Sequence, residues 1–185
     1  MIKSIGEIRD PVHGYIFMSN IEKDLINSKP IQRLRRIKQL SGAYFTYPGA
    51  EHSRFSHSLG VMHLAGILGK HLEERGYIDE EEVQKLRVAG LLHDVGHGPF
   101  SHVYEEILHK YRNVTHEDLA QWLIKESIVK DILEKYGYSP DEMADLAIGR
   151  ADLGKKSFIN QVIASQFDVD IMDYLVRDSY FAGVE

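Results

Sequence analysis

The chain has 185 residues, of which 43% are hydrophobic and 27% charged, the composition of an ordinary globular protein long enough to bury a substantial core. No apolar run approaches the roughly 18–20 residues needed to span a bilayer, Met1-Ile2-Lys3-Ser4 lacks the apolar core of a signal peptide, and the absence of cysteine excludes disulfides and thiolate metal sites. A formal net charge of −6 argues against general nucleic-acid affinity, so the expectation is a cytoplasmic protein engaging neither membrane nor nucleic acid.

Residues 2–18 alternate loosely around Asp10-Pro11-Val12-His13-Gly14, which predicts a small β-hairpin. Ser19 or Asn20 caps a short helix ending near Asn27. A second helix is predicted from Pro30 to Leu40, with Ile31, Leu34 and Ile37 inward, before Ser41-Gly42 and an aromatic connector from Tyr44 to Gly49. The longest helix spans Ser53 to Arg75, with His57, Val61, Leu64, Leu68 and His71 on one face. Asp79 and Glu82 form an N-cap pair for the next helix, which runs past Leu91 and Leu92 until Gly96 breaks it after His93-Asp94. Further helices are predicted over Ser101–Tyr111, Thr115–Lys125, Ile128–Tyr136 and from Ser139-Pro140 onward, with Trp122 and Leu123 in the core. A loop from Gly149 to Ser157 precedes helices near Phe158–Ala164 and Asp170–Tyr180. The fold class read from this pattern is all-α with an N-terminal β-hairpin, in one domain.

The chemistry is concentrated in His93-Asp94-Val95-Gly96-His97-Gly98-Pro99-Phe100-Ser101-His102. A His-Asp pair at a helix terminus can converge on a point, whereas adjacent side chains in mid-helix diverge by about 100°. His57 upstream and the acidic run Asp168-Val169-Asp170 downstream complete a mixed nitrogen–oxygen set, His57, His93, Asp94 and Asp170, that suits one divalent ion (Mn, Fe, Ni, Co, Zn or Mg). Periodicity alone does not separate Asp170 from Asp168. Such an ion lowers the pKa of water and polarises a phosphoryl oxygen, so a metal-dependent hydrolase is the first functional expectation. Arg33, Arg35, Arg36, Lys38 and Arg54 form a cationic cluster from which one or two members could meet phosphate.

The whole pattern resembles the HD-domain phosphohydrolases, and within them the deoxynucleoside triphosphate triphosphohydrolases. The similarity is carried by Asp10–Gly14, Gln32–Leu40, Pro48-Gly49-Ala50, Arg54–Val61, His93–His102, His116-Glu117 and Asp168–Asp178. It implies an HD-domain helical bundle with His57, His93, Asp94 and Asp170 as metal ligands. It implies His116 and Glu117 as a pair assisting catalysis, and His97 and His102 near the substrate phosphates, with His102 donating a proton to the leaving group. Arg54 would contact phosphate, Tyr174 and Asp178 the sugar 3′-hydroxyl, and Gln39 and Leu40 the sugar face that disfavours a 2′-hydroxyl. The implied partner is a deoxynucleoside triphosphate, and the implied assembly a homo-oligomer.

The sequence also departs from that pattern. Ile171 stands where animal members carry a phosphate-contacting lysine, and Asn27 and Arg9 differ from residues of their regulatory nucleotide site, although Gln32 and Arg35 match it. Relatives continue with a large helical C-terminal portion beyond the equivalent of Glu185. A nucleotide monophosphatase or phosphodiesterase of the same superfamily, or a non-catalytic nucleotide-sensing module, are the alternatives.

Overall fold

A computed structural model describes residues 2–184, with only the backbone of His102. Strands β1 (Gly6–Asp10) and β2 (Gly14–Met18) pair antiparallel with Gly6 opposite Met18 and Asp10 opposite Gly14. Asp10 Oδ1 closes the turn by accepting the backbone N–H groups of Val12 and His13 at 3.0 and 2.9 Å. Helix α1 (Asn20–Asn27) starts at N-cap Ser19, whose N–H donates to Glu22 at 2.7 Å.

The predicted helix from Pro30 to Leu40 is much shorter. Helix α2 (Lys29–Gln32) tightens into a 3-10 turn over Arg33–Arg36, and the chain is extended from Ile37. The reason is tertiary: Gln39 N donates to His52 O, Arg54 N donates to Ile37 O, and Lys38 bridges Ser53. These ladder bonds replace the helical ones and still leave Ile31, Leu34 and Ile37 buried.

Helices α3 (Arg54–Glu74) and α4 (Glu80–Leu92) form the central pair of the bundle. Val61, Met62 and Ala65 of α3 and Leu86, Ala89, Leu91 and Leu92 of α4 are buried between them and their neighbours. The expected α3 stripe holds as far as Val61; Leu64 and Leu68 are half-buried against the core and His71 is exposed, because the face covered by α4 shifts to Ala65, Gly66 and Gly69, against which Val83, Leu86 and Arg87 lie. Helix α4 begins with the reciprocal Asp79–Glu82 cap, both bonds at 2.9 Å, and ends at Leu92, which puts His93 and Asp94 at its terminus. Helices α5 (His102–Arg112), α6 (His116–Glu126), α7 (Ile128–Lys135) and α8 (Pro140–Ala147) follow. Trp122 of α6 is 58% exposed and so lies outside the core expected for it, while Leu123 packs partly against the core. Instead of one helix over Phe158–Ala164 there is a 3-10 segment, Gly154–Ile159, and a single turn α9 (Asn160–Ile163).

The last helix, α10 (Val169–Ala182), packs on α3. Its N-cap is Asp168, whose oxygens accept the N–H groups of Ser165 and Ile171, both at 2.8 Å. Arg177 is fully buried and forks across two acids: Nε and Nη2 donate to Asp173 at 2.7 and 2.9 Å, and Nη1 donates to Asp10 at 2.8 Å. The hairpin is thereby fastened to α10. Truncating Arg177 to alanine strands two buried carboxylates without their cation, so urea denaturation is expected to show a loss of about 3–5 kcal/mol; a loss below about 1 kcal/mol would show the triad to be dispensable.

Candidate metal centre

Four side chains from three elements meet where α3, the end of α4 and the start of α10 converge. His57, one turn into α3, His93 and Asp94 at the end of α4 are close enough for one donor atom of each to lie within 4.8 Å of the others. Asp170 joins them from α10: its Oδ1 lies 2.8 Å from His57 Nε2 and 3.7 Å from His93 Nε2. Asp168 is not part of this group, because its oxygens are taken by the α10 N-terminal backbone.

Both imidazoles have their other nitrogen engaged. His93 Nδ1 bonds Gly90 O at 2.8 Å, and His57 Nδ1 bonds Asp173 Oδ2 at 2.8 Å. The Nε2 atoms of both rings are buried, and neither has a hydrogen-bond partner of acceptable geometry among the described residues. Two buried imidazole nitrogens aimed at two carboxylates, with nothing else to satisfy them, are a donor set that fits a divalent cation.

Electrostatics reinforce the point. Burial disfavours charge on His57, yet the Asp170 and Asp173 carboxylates against its two nitrogens outweigh it and hold the pKa up at about 9. His93 is raised in the same way, burial being overcome by Asp94 and Asp170. Burial alone would raise Asp94 and Asp170. The first is held well below the carboxylate range by His93, Arg54 and His97, the second by His57 and His93. The acids are therefore ionised in this pocket.

A cavity of about 330 Å³ opens over the group, lined among others by Gln39, Arg54, His97, His116, Glu117 and Tyr174. Arg54 does not hang freely in it. Nη1 donates to Asp94 Oδ2 at 2.5 Å, and Nε and Nη2 both donate to Ser101 Oγ at 3.0 and 2.8 Å. Ser101 (φ 41°, ψ −100°) and Phe100 (φ 61°) adopt backbone conformations that non-glycine residues rarely visit, which presents the hydroxyl to the guanidinium. His97 lies 3.2 Å from Asp94 and stacks on His116 with ring centroids 4.1 Å apart. Burial lowers its pKa, Arg54 and His116 adding to the effect and Asp94 opposing it.

His116 and Glu117 both line the cavity, each held by a different partner. Thr115 caps α6 and fixes His116 at its first position, where Nδ1 meets Glu105 of α5. Glu117 instead pairs with Arg150 at 2.7 Å. Asp178, half-buried, is bonded by His52 Nε2 at 2.6 Å, and neither it nor the half-buried Leu40 is among the residues lining the cavity. The His102 side chain falls outside the described residues. Sequence reasoning gave no part to Glu105 or to the Ser101 hydroxyl, and it grouped Arg33 in a cationic cluster open to phosphate, whereas the Arg33 guanidinium donates to His97 O at 2.7 Å and also to Val95 O, pinning the glycine loop. Gly96 in that loop lies against α6, where a Cβ would sit 1.9 Å from His116 O. No local pattern marks these contacts, since each joins different elements.

Three comparisons bear on this site. The family model described as HD domain matches residues 54–178. An uncharacterized protein of Bacillus subtilis, YwfO, is 42% identical over 179 residues, covering 95% of this chain and 40% of its own length. The human deoxynucleoside triphosphate triphosphohydrolase SAMHD1 is 34% identical over 215 residues, covering all of this chain and 34% of its own. Among solved structures, a hypothetical protein from Aquifex aeolicus superposes with a TM-score of 0.86 at 38% identity, covering 97% of this chain and 47% of that one. The chain thus spans less than half the length of each of these relatives.

Proposed function

Because the chain belongs to the HD-domain family, we propose that it is a metal-dependent phosphohydrolase acting on deoxynucleoside triphosphates. The observation that carries this reading is the meeting of His57, His93, Asp94 and Asp170 beneath a cavity lined by Arg54, His97, His116, Glu117 and Tyr174. Those four residues would hold one divalent ion, which lowers the pKa of water and polarises a phosphoryl oxygen.

The remaining roles follow from the side chains themselves. Arg54 sets the orientation of Asp94 and brings positive charge to the phosphate end of the cavity. Glu105 engages Nδ1 of His116 and leaves the other ring nitrogen to exchange a proton, with Glu117 beside it. His97, neutral by virtue of its burial, supplies a second imidazole to the phosphates. Tyr174 and Gln39, the latter brought in by the extended segment, both line the cavity and face the sugar, with Leu40 next in the chain. Water attacks the α-phosphorus and gives up a proton to the other ring nitrogen of His116, the bond to the 5′-oxygen breaks, and that oxygen takes a proton from His102, leaving deoxynucleoside and inorganic triphosphate.

The protein is read as cytoplasmic, in keeping with a sequence without cysteine, and as a homo-oligomer that covers exposed apolar side chains such as Phe45, Tyr111 and Phe167. No helix among the described residues is long and apolar enough to cross a membrane. A nucleotide monophosphatase or phosphodiesterase is the second reading, favoured by Ile171 in place of a lysine and by the engagement of Asp178 with His52.

Metal analysis, joined to chromatography of products from dNTPs, NTPs and monophosphates, tests these readings together. Free triphosphate supports the first; turnover of monophosphates alone replaces it with the second. His93→Ala and Asp94→Ala are each expected to lose bound metal and turnover together, and a variant with full metal content and full rate would remove that residue from the centre. Tyr174→Phe is expected to slow deoxynucleotides more than a generic phosphodiester; equal losses on both would reject a part in sugar recognition.

A further inference from the structure

Resting on the metal-centre reading above, we propose that Asp173 is the positioning residue of that centre. It holds the Nδ1 side of His57 so that Nε2 faces the cation, and it is itself fixed by Arg177 and by His13 of the hairpin turn.

Asp173 is fully buried and does not line the cavity, so it has no direct part in holding substrate. Both of its oxygens are saturated. Oδ1 meets His13 Nε2 at 2.6 Å and Arg177 Nη2 at 2.9 Å, and Oδ2 meets His57 Nδ1 at 2.8 Å and Arg177 Nε at 2.7 Å. A carboxylate forked by a permanently charged guanidinium can only accept hydrogen bonds, so His57 Nδ1 carries the proton toward it. In the neutral ring the lone pair is then on Nε2, the buried nitrogen that points at Asp170 and Asp94.

The backbone makes room for this contact. Gly60 follows His57 by one helical turn, and a Cβ there would lie 1.8 Å from Asp173 Oδ1 and 2.5 Å from Arg177 Nη2. The space a side chain would fill is the space the carboxylate occupies. His13 comes from the turn that Asp10 closes, and Asp10 is the second acid of the Arg177 fork. The hairpin therefore reaches the metal-facing histidine through one side chain, and its distance in sequence from α3 is bridged by Asp173.

The test is Mn²⁺ affinity, measured calorimetrically on metal-stripped protein, with far-UV circular dichroism reporting the fold. Asp173→Asn is expected to weaken Mn²⁺ roughly 10- to 100-fold, since an amide can offer its NH₂ to Nδ1 and turn the ring to the wrong tautomer. Gly60→Ala should act in the same direction by displacing the carboxylate. His13→Ala leaves the Arg177 fork whole; it is expected to keep the fold, lose a smaller part of the affinity and shift the visible spectrum of bound Co²⁺. If Asp173→Asn does not fold, His13→Ala decides. Wild-type affinity and an unshifted Co²⁺ spectrum in His13→Ala overturn the proposal, as does wild-type affinity in a folded Asp173→Asn. His57→Ala separates this from the reading beneath it. If that variant binds Mn²⁺ as the wild type does, the centre itself is wrongly placed; if it loses Mn²⁺ while the Asp173 and His13 variants do not, only the positioning role fails.

Discussion

The site turns on a buried ionic cluster that joins the hairpin, α10 and α3. Arg177 is buried without exposure between Asp173 and Asp10, and the first of these acids also touches His57. A buried charge is tolerated only where its partners and hydrogen bonds are complete. Here the fork, both acids and two imidazoles complete one another, which fixes the rotation of α10 about its axis. That rotation in turn decides that Asp170, three residues earlier, points at His57 and His93 instead of at solvent.

The two sides of the cavity are built by different physics. On the inner side, α3, α4 and α10 bring His57, His93, Asp94 and Asp170 on packed helices, and the geometry is inherited from the core. On the outer side, polar contacts predominate: Arg33 holds the glycine loop by its carbonyls, Ser101 holds Arg54, and Glu105 holds His116. Rigid imidazole and carboxylate placement on the inner side suits a cation, which demands fixed donor positions. Cationic and proton-carrying groups on the outer side are likewise pinned in place, Arg54 by Asp94 and Ser101 and His116 by Glu105.

Much of this was legible in the sequence wherever the chemistry is local. The Asp79–Glu82 cap, the Ser139-Pro140 helix start and the Asp10–Gly14 turn are each written within a few residues, and each forms as read. The metal-facing set was legible chiefly through the resemblance carried by several separated segments, the His93-Asp94 pair alone being a weak signal. What escaped depends on distant segments. The extension of Ile37–Gln39 follows from pairing with residues 52–54, which no helical periodicity announces. The choice between Asp168 and Asp170 lies in the cap geometry of α10, and the contact of His116 with Glu105 joins two different helices. His71 and Trp122 show the converse, since apolar spacing predicts an inward face but not which of its residues a neighbouring element covers.

Helix α5 carries one last implication. None of its described side chains is buried; Tyr104 lies over Gly98, and Glu105 reaches His116. An eleven-residue helix gains too little from its own backbone bonds to persist alone in water, so α5 survives on a handful of tethers while α3 and α4 survive on the core. Its amide protons should therefore exchange with solvent through local opening, long before those of the central pair. Glu105, and through it the setting of His116, therefore rests on a helix held from outside the core, whereas His57, His93, Asp94 and Asp170 rest on helices packed within it.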